Sequence, residues 1–182
     1  WTWYELPARR GVTPESWSKD EAVVQVQQAL RRAVQRQLVA DVPVGALLSG
    51  GIDSSAIVAF AREAVRDLRC FTIELIGGQD VGFADDLPYA RRVAQHLGVR
   101  LDVISVDAGR MAHDVAAMVA QLDEPLADPA PLNVRYISEL ARQHGIPVLL
   151  SGAGGDDLFT GYRRHLALSY ESLWAWAPRP AL

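Results

Sequence analysis

Apolar residues recur along this chain in two alternating rhythms. Val23, Val26, Leu30, Val34 and Leu38 step by three and four, which predicts a helix with one buried stripe from about residue 19 to Leu38. Ser18, with Glu21 three residues on, reads as the capping box that starts it. Four segments rich in apolar residues then read as strands: Val42 to Leu48, Cys70 to Ile76, Val99 to Val106, and Ile146 to Leu150. Amphipathic segments separate them. A helix is predicted from Asp53 or Ser54 to about Val65, with Ile57, Val58, Ala61 and Val65 on one face. Another runs from Asp85 or Asp86 to Leu97 and stops at Gly98. Ala108 to Leu122 and Leu132 to His144 are also helical, and a last helix is expected from about Tyr162 to Trp174, ahead of Pro178 and Pro180. Asp123 to Pro131 carries three prolines and three acids and is read as loop.

A strand with apolar residues on both faces needs cover on both. The pattern therefore predicts an α/β fold, a doubly wound parallel sheet of about five strands with helices on both faces. Ligands of such sheets sit at the carboxyl ends of the strands, near the point where strand order reverses. Residues 1–17, with Pro7, Gly11 and Pro14, read as an extended lead-in, and residues 18–182 as one domain. Trp1 stands where an initiating Met would, so the chain is expected to be a piece of a longer protein.

Composition narrows the class. The 182 residues are 49% apolar and 22% charged, ordinary for a globular chain and sufficient for one core. No charge-free stretch approaches the ~20 residues of a membrane span, and no signal-peptide pattern opens the chain, so no membrane partner is expected. With 18 basic and 22 acidic side chains the net charge is −4, which argues against a nucleic-acid partner. Cys70 is the only cysteine, excluding a disulfide framework and fitting a reducing, cytoplasmic setting, with the thiol read as a core residue. The four histidines are scattered without metal spacing, and Lys19 is the only lysine.

The candidate chemistry lies in two glycine-rich turns, each at the end of a predicted strand. The first is Leu48-Ser49-Gly50-Gly51-Ile52-Asp53-Ser54-Ser55. Paired glycines permit a tight bend in which amides converge on an anion, the helix behind adds its positive end, and Ser49, Ser54 and Ser55 offer hydroxyls. It is neither a Walker A loop nor a G-x-G-x-x-G turn. The second is Ser151-Gly152-Ala153-Gly154-Gly155-Asp156-Asp157-Leu158-Phe159-Thr160-Gly161-Tyr162. Asp53 and Asp156 each follow a glycine turn, where a carboxylate either caps the next helix or binds a cation.

The first turn resembles the PP-loop, Ser-Gly-Gly-x-Asp-Ser, of the ATP pyrophosphatases. The second is similar to the Ser-Gly-x-Gly-x-Asp-Glu-Leu-Phe-Gly-Gly-Tyr signature of the asparagine synthetase family, as are Val42 to Ser54 and Leu122-Asp123-Glu124-Pro125 with Ala127-Asp128-Pro129. The resemblance runs from about residue 18 to 165. It implies a synthetase domain that binds ATP through Leu48, Ser49, Gly50, Gly51, Asp53, Ser54, Ile73, Ser151 and Gly152, with Mg²⁺ on Asp53 and Asp156. Asp157 stands where the family has Glu, as ligand or as cap. The strand Phe71-Thr72-Ile73 matches the family's adenine contact, or is plain core. The implied reaction is adenylation of a small carboxylate, aspartate or another, with release of pyrophosphate, then attack by an amine to give an amide and AMP. The parent would be a glutamine-hydrolysing carbon–nitrogen ligase whose glutaminase domain is a partner of this one.

Three departures qualify what the resemblance implies. Ala153 replaces the family's acidic residue. No lysine follows Lys19, so the family's catalytic lysine is absent from this chain and the isolated fragment is expected to be inactive. Cys70, in a strand, is not the glutaminase nucleophile. The catalytic residues are thus left open, and two alternatives stand: a nucleotide-binding or scaffolding module without turnover, and another PP-loop enzyme such as a tRNA-modifying one. Arg163 and Arg164 either reach phosphate or lie on a solvated face. Asp123, Glu124 and Asp128 either cover the pocket or keep a loop soluble. Trp1, Trp3, Trp174 and Trp176 are core or contacts to the rest of the parent.

Overall fold

The computed structural model describes residues 17–77, 86–124, 126, 128, 130–163, 165, 166 and 170. The lead-in before Trp17, Asp85, Arg164, the four terminal tryptophans and most of the expected last helix lie outside the described residues.

Ten elements follow in chain order: α1 (Lys19–Gln37), β1 (Val44–Leu47), α2 (Ile52–Ala64), β2 (Arg69–Ile76), α3 (Leu87–Leu97), β3 (Arg100–Asp107), α4 (Ala108–Val119), α5 (Ala130–Gln143), β4 (Val148–Leu150) and α6 (Gly155–Phe159). The capping box is present. The Glu21 amide donates to Ser18 Oγ at 3.3 Å, and the Ser18 amide donates to Glu21 Oε2 at 2.9 Å. Gly98 closes α3 at φ +62°, a left-handed value that glycine adopts without the Cβ penalty. Asp86 precedes α3 without a side-chain cap. The Asp107 carboxylate caps α4 by accepting from the Arg110 amide at 2.8 Å.

All strand pairs are parallel, in the order β3-β2-β1-β4. The described residues hold four strands of the about five expected from the pattern. Starting from β1, the chain adds β2 and β3 on one side and then crosses to place β4 on the other. The reversal between β1 and β4 is the switch point, where β1 runs out at Leu47 and β4 at Leu150.

Helices cover both faces. Strand side chains alternate, so Ala46, Leu48 and Cys70 face α1, α2 and α3 through Val34, Val58, Ala61, Ala90 and Ala94. Phe71 and Val106 face α4 and α5 through Met118, Leu132, Tyr136 and Ile137. The single-stripe expectation for α1 needs correction. Val34 is 3% exposed and Leu38 packs beside it, but Val23 and Val26 are 46% and 36% exposed. Only the last turns of α1 lie over the sheet, where Arg31 pairs with Glu63 at 2.8 Å and stacks on Phe60 at 5.0 Å. No helix among the described residues is long and apolar enough to cross a membrane.

Candidate nucleotide site at the strand ends

The turn after β1 reverses within two residues because Gly50 adopts φ +85°. A Cβ there would lie 2.6 Å from the backbone of Tyr89, so only glycine lets this bend seat against α3. The Leu48 amide donates to the Phe71 carbonyl at 3.0 Å, tying the turn to β2. Within the turn, the Ser49 and Ser54 hydroxyls lie 3.0 Å apart, and the Gly51 amide donates to Ser49 Oγ at 3.3 Å. Ser54 and Ser55 both donate to the Gly51 carbonyl, at 3.2 and 2.7 Å. Of the three hydroxyls expected around this volume, those of Ser49 and Ser54 belong to cavity-lining residues, whereas Ser55 is not on the wall.

The turn after β4 is built differently. Gly154 adopts φ +90° as the residue before α6. Ser151 Oγ accepts from the Ala153 amide at 3.1 Å and holds the bend. The two turns touch backbone to backbone: a Cβ on Gly152 would lie 2.8 Å from the Ser54 amide and 2.9 Å from the Asp53 carbonyl carbon. A Cβ on Gly155 would run into the Asp53 carboxylate.

Asp53 and Asp156 occupy matching places, each the second residue of its helix behind a glycine N-cap. The N-cap residues are glycines, so Asp53 and Asp156 are first-turn acids of their helices rather than N-caps. Both line one cavity of about 930 Å³, within the size of small-molecule sites. Its walls also include Phe71, Ile73 and Glu74 from β2, Leu48, Ser49, Gly51 and Ser54 from the first turn, Asp86 before α3, and Ser151, Gly152 and Ala153 from the second turn. Gly50, expected to touch nucleotide, lies between wall residues Ser49 and Gly51 and packs against the start of α3.

No group of three or more His, Cys, Asp or Glu suited to a metal exists among the described residues. Asp53 and Asp156 on one cavity wall still fit Mg²⁺, which takes one or two protein carboxylates and fills its octahedron with water and substrate oxygens. The first-turn amides of α2, Ile52 to Ser54, precede its first intrahelical bond, from Ser55 to the Gly51 carbonyl, and the helix adds partial positive charge there. Anion binding at the turn and a cation between Asp53 and Asp156 are therefore compatible.

The loop acids do not close over this cavity. The Asp128 carboxylate accepts from the Ala130 amide at 2.8 Å at the start of α5, and Asp123 and Glu124 are exposed and off the wall. Sequence reasoning missed Asn133 and Ile137 of α5, which reach the wall together. Their i, i+4 spacing beside Leu132 and Tyr136 was the available signal. Cys70 is buried, and that burial, with a smaller push from the Asp102 charge, raises its thiol pKa to about 12. It is a core residue.

The family model described as asparagine synthase matches residues 25–181. Asparagine synthetase (glutamine-hydrolysing) 1 of Bacillus subtilis is 35% identical over 149 residues, covering 82% of this chain and 23% of the relative. A putative glutamine-hydrolysing asparagine synthetase of Mycobacterium bovis is 37% identical over 162 residues, 88% of this chain and 24% of the relative. The chain thus spans about a quarter of the length of these relatives. Among solved structures, the glutamine-dependent NAD+ synthetase of Acinetobacter baumannii, determined in complex with ADP, superposes with a TM-score of 0.55 at 21% identity, covering 82% of this chain and 29% of that one. That likeness shows a shared fold, the α/β PP-loop arrangement. From the extent of the family match and these identities, the chain belongs to the asparagine synthase family.

Proposed function

We propose that the cavity binds ATP as its Mg²⁺ complex and activates a small carboxylate for amide formation. The observation that carries this reading is the meeting of the two glycine turns, with Asp53 and Asp156 in matching places on one cavity wall. In this reading the Ser49 hydroxyl and the first-turn amides of α2 hold the β,γ-phosphates, and Ser151 and Gly152 border the α-phosphate. Mg²⁺ on Asp53 and Asp156 would supply charge neutralisation for the departing pyrophosphate. A carboxylate oxygen of the substrate attacks the α-phosphorus, the bond from that phosphorus to the bridging oxygen breaks, and pyrophosphate leaves with the electron pair. An amine nitrogen then attacks the acyl carbon, AMP departs with the acyl C–O pair, and the nitrogen loses a proton. Positioning and charge neutralisation account for most catalysis in transfers of this kind.

The relatives' names include glutamine hydrolysis, and ammonia from a glutaminase domain is the nitrogen source we assign. A cytoplasmic setting belongs to the same proposal. Calorimetric titration with ATP is the test, with and without Mg²⁺, on the wild type and on Asp53→Ala and Asp156→Ala. Binding that needs Mg²⁺ and weakens at least tenfold in either variant is expected. Equal affinity in all of them would refute the site.

One observation favours a second reading. Ala153 lines the cavity and offers no side-chain acid to the amine-attack step. A protein that binds ATP but exchanges no pyrophosphate with any carboxylic acid would be a nucleotide-binding module.

A further inference from the structure

One polar group on the cavity wall takes no part in the site as described above. Asn133 is the fourth residue of α5, between Leu132, 2% exposed, and the buried pair Tyr136 and Ile137, at 0% and 8%. Its Oδ1 is buried and has no hydrogen-bond partner among the described residues. Folded chains satisfy nearly all such atoms, so an orphaned acceptor on a residue that lines a large cavity points to a donor that arrives with a ligand. The surroundings of this amide are apolar: Ile137 shares a cluster with Phe71, Ile73 packs against it, and all three line the cavity with Asn133. The glycine turns, with their hydroxyls and carboxylates, supply the phosphate end, whereas Asn133 comes from the helix layer on the face opposite α2.

We infer that the Asn133 side-chain amide reads the adenine base, its Oδ1 accepting from the 6-amino group. The inference rests on the proposed nucleotide site and adds a base-recognition residue to it. An apolar slot with one carboxamide suits a flat heterocycle whose edge carries a donor beside an acceptor. An asparagine amide is complementary to such an adenine edge, accepting from the amine and donating to an adjacent ring nitrogen. A fully apolar slot would hold any purine equally well; the amide makes the amine count.

The test is a cycle of two ligands and two residues. ATP and purine riboside triphosphate, which lacks only the 6-amino group, are titrated with Mg²⁺ into the wild type and into Asn133→Leu. The wild type should prefer ATP, and that preference should shrink by roughly five- to tenfold in Asn133→Leu, the size expected for one lost buried hydrogen bond. Asn133→Asp keeps an acceptor oxygen and should keep the preference; thermal melts of both variants report folding. An unchanged ATP preference in Asn133→Leu, or an equal loss for both nucleotides, overturns the inference while leaving the nucleotide site standing. If Asn133→Leu fails to fold, loss of the ATP preference in folded Asn133→Asp overturns it. A wild type that binds neither nucleotide removes the site and the inference together.

Discussion

The Asp53 carboxylate lies against the backbone of Gly155, in the space a Cβ would take, so two turns far apart in the chain share one carboxylate position. Gly155 sits in the first turn of α6 with φ outside the left-handed region, so alanine is tolerated there by the backbone. Its methyl would instead displace the Asp53 side chain. Gly155→Ala should therefore melt close to the wild type yet bind ATP in the presence of Mg²⁺ about tenfold more weakly. Unchanged ATP affinity by calorimetry would mean that the position of Asp53 does not matter.

Gly50→Ala should act on the fold instead. The substitution meets a left-handed φ of +85° and backbone atoms of Tyr89 at 2.6 Å, and neither can give way cheaply. Strain and overpacking together should cost about 2–4 kcal/mol. Urea denaturation followed by circular dichroism measures it; a loss below half of that would show that α3 shifts to make room.

Cys70 gives a pH dependence with a definite sign. Burial holds its proton up to about 12 in the folded chain, whereas an unfolded thiol releases it near about 8.5. The stability this contributes is complete below about pH 8.5 and declines as pH rises from there toward 12. Between pH 8 and 10 the urea midpoint of the wild type should fall more steeply than that of Cys70→Ala. Parallel slopes would show the thiol to be solvated. A thiol-reactive dye should also label the native protein far more slowly than the unfolded one.

The two halves of α1 should differ in their response to truncation. Val34→Ala removes buried methyls under the sheet-facing turns and should cost about 1.5–3 kcal/mol. Val23→Ala, on the exposed half, should stay within about 0.5 kcal/mol of the wild type. Comparable losses in the two variants, by denaturant unfolding, would mean that the early turns of α1 are covered in solution.

Local signals gave most of the elements. Ser18 with Glu21, Gly98 after Leu97, and Gly145 after His144 mark ends that depend on backbone chemistry within a few residues, and such ends are legible without tertiary context. Where partners come from distant segments the reading failed. Val23 and Val26 have the right period, but whether a stripe is buried depends on how far the sheet extends beneath it. That Gly50 must also leave room for the Tyr89 backbone is likewise invisible in the sequence, because α3 lies more than thirty residues away. Asp128 is a cap and not a cover for the pocket, since its acceptor is used at the start of α5. In sequence Asn133 is one polar residue of an amphipathic helix, and only the packing of Ile137 with Phe71 brings it to a cavity wall.

The amino-acid order alone determined the alternation of strands and helices, the parallel doubly wound class and the two glycine bends at strand ends. Those depend on side-chain period and on which residues tolerate a tight reversal, and both are properties of short segments. Only the tertiary structure decided that β4 lies beside β1, bringing Gly152 against Ser54 and Gly155 against Asp53. Strand order follows from how helices of both layers bury their faces on the sheet. That is a global packing balance which no local window contains.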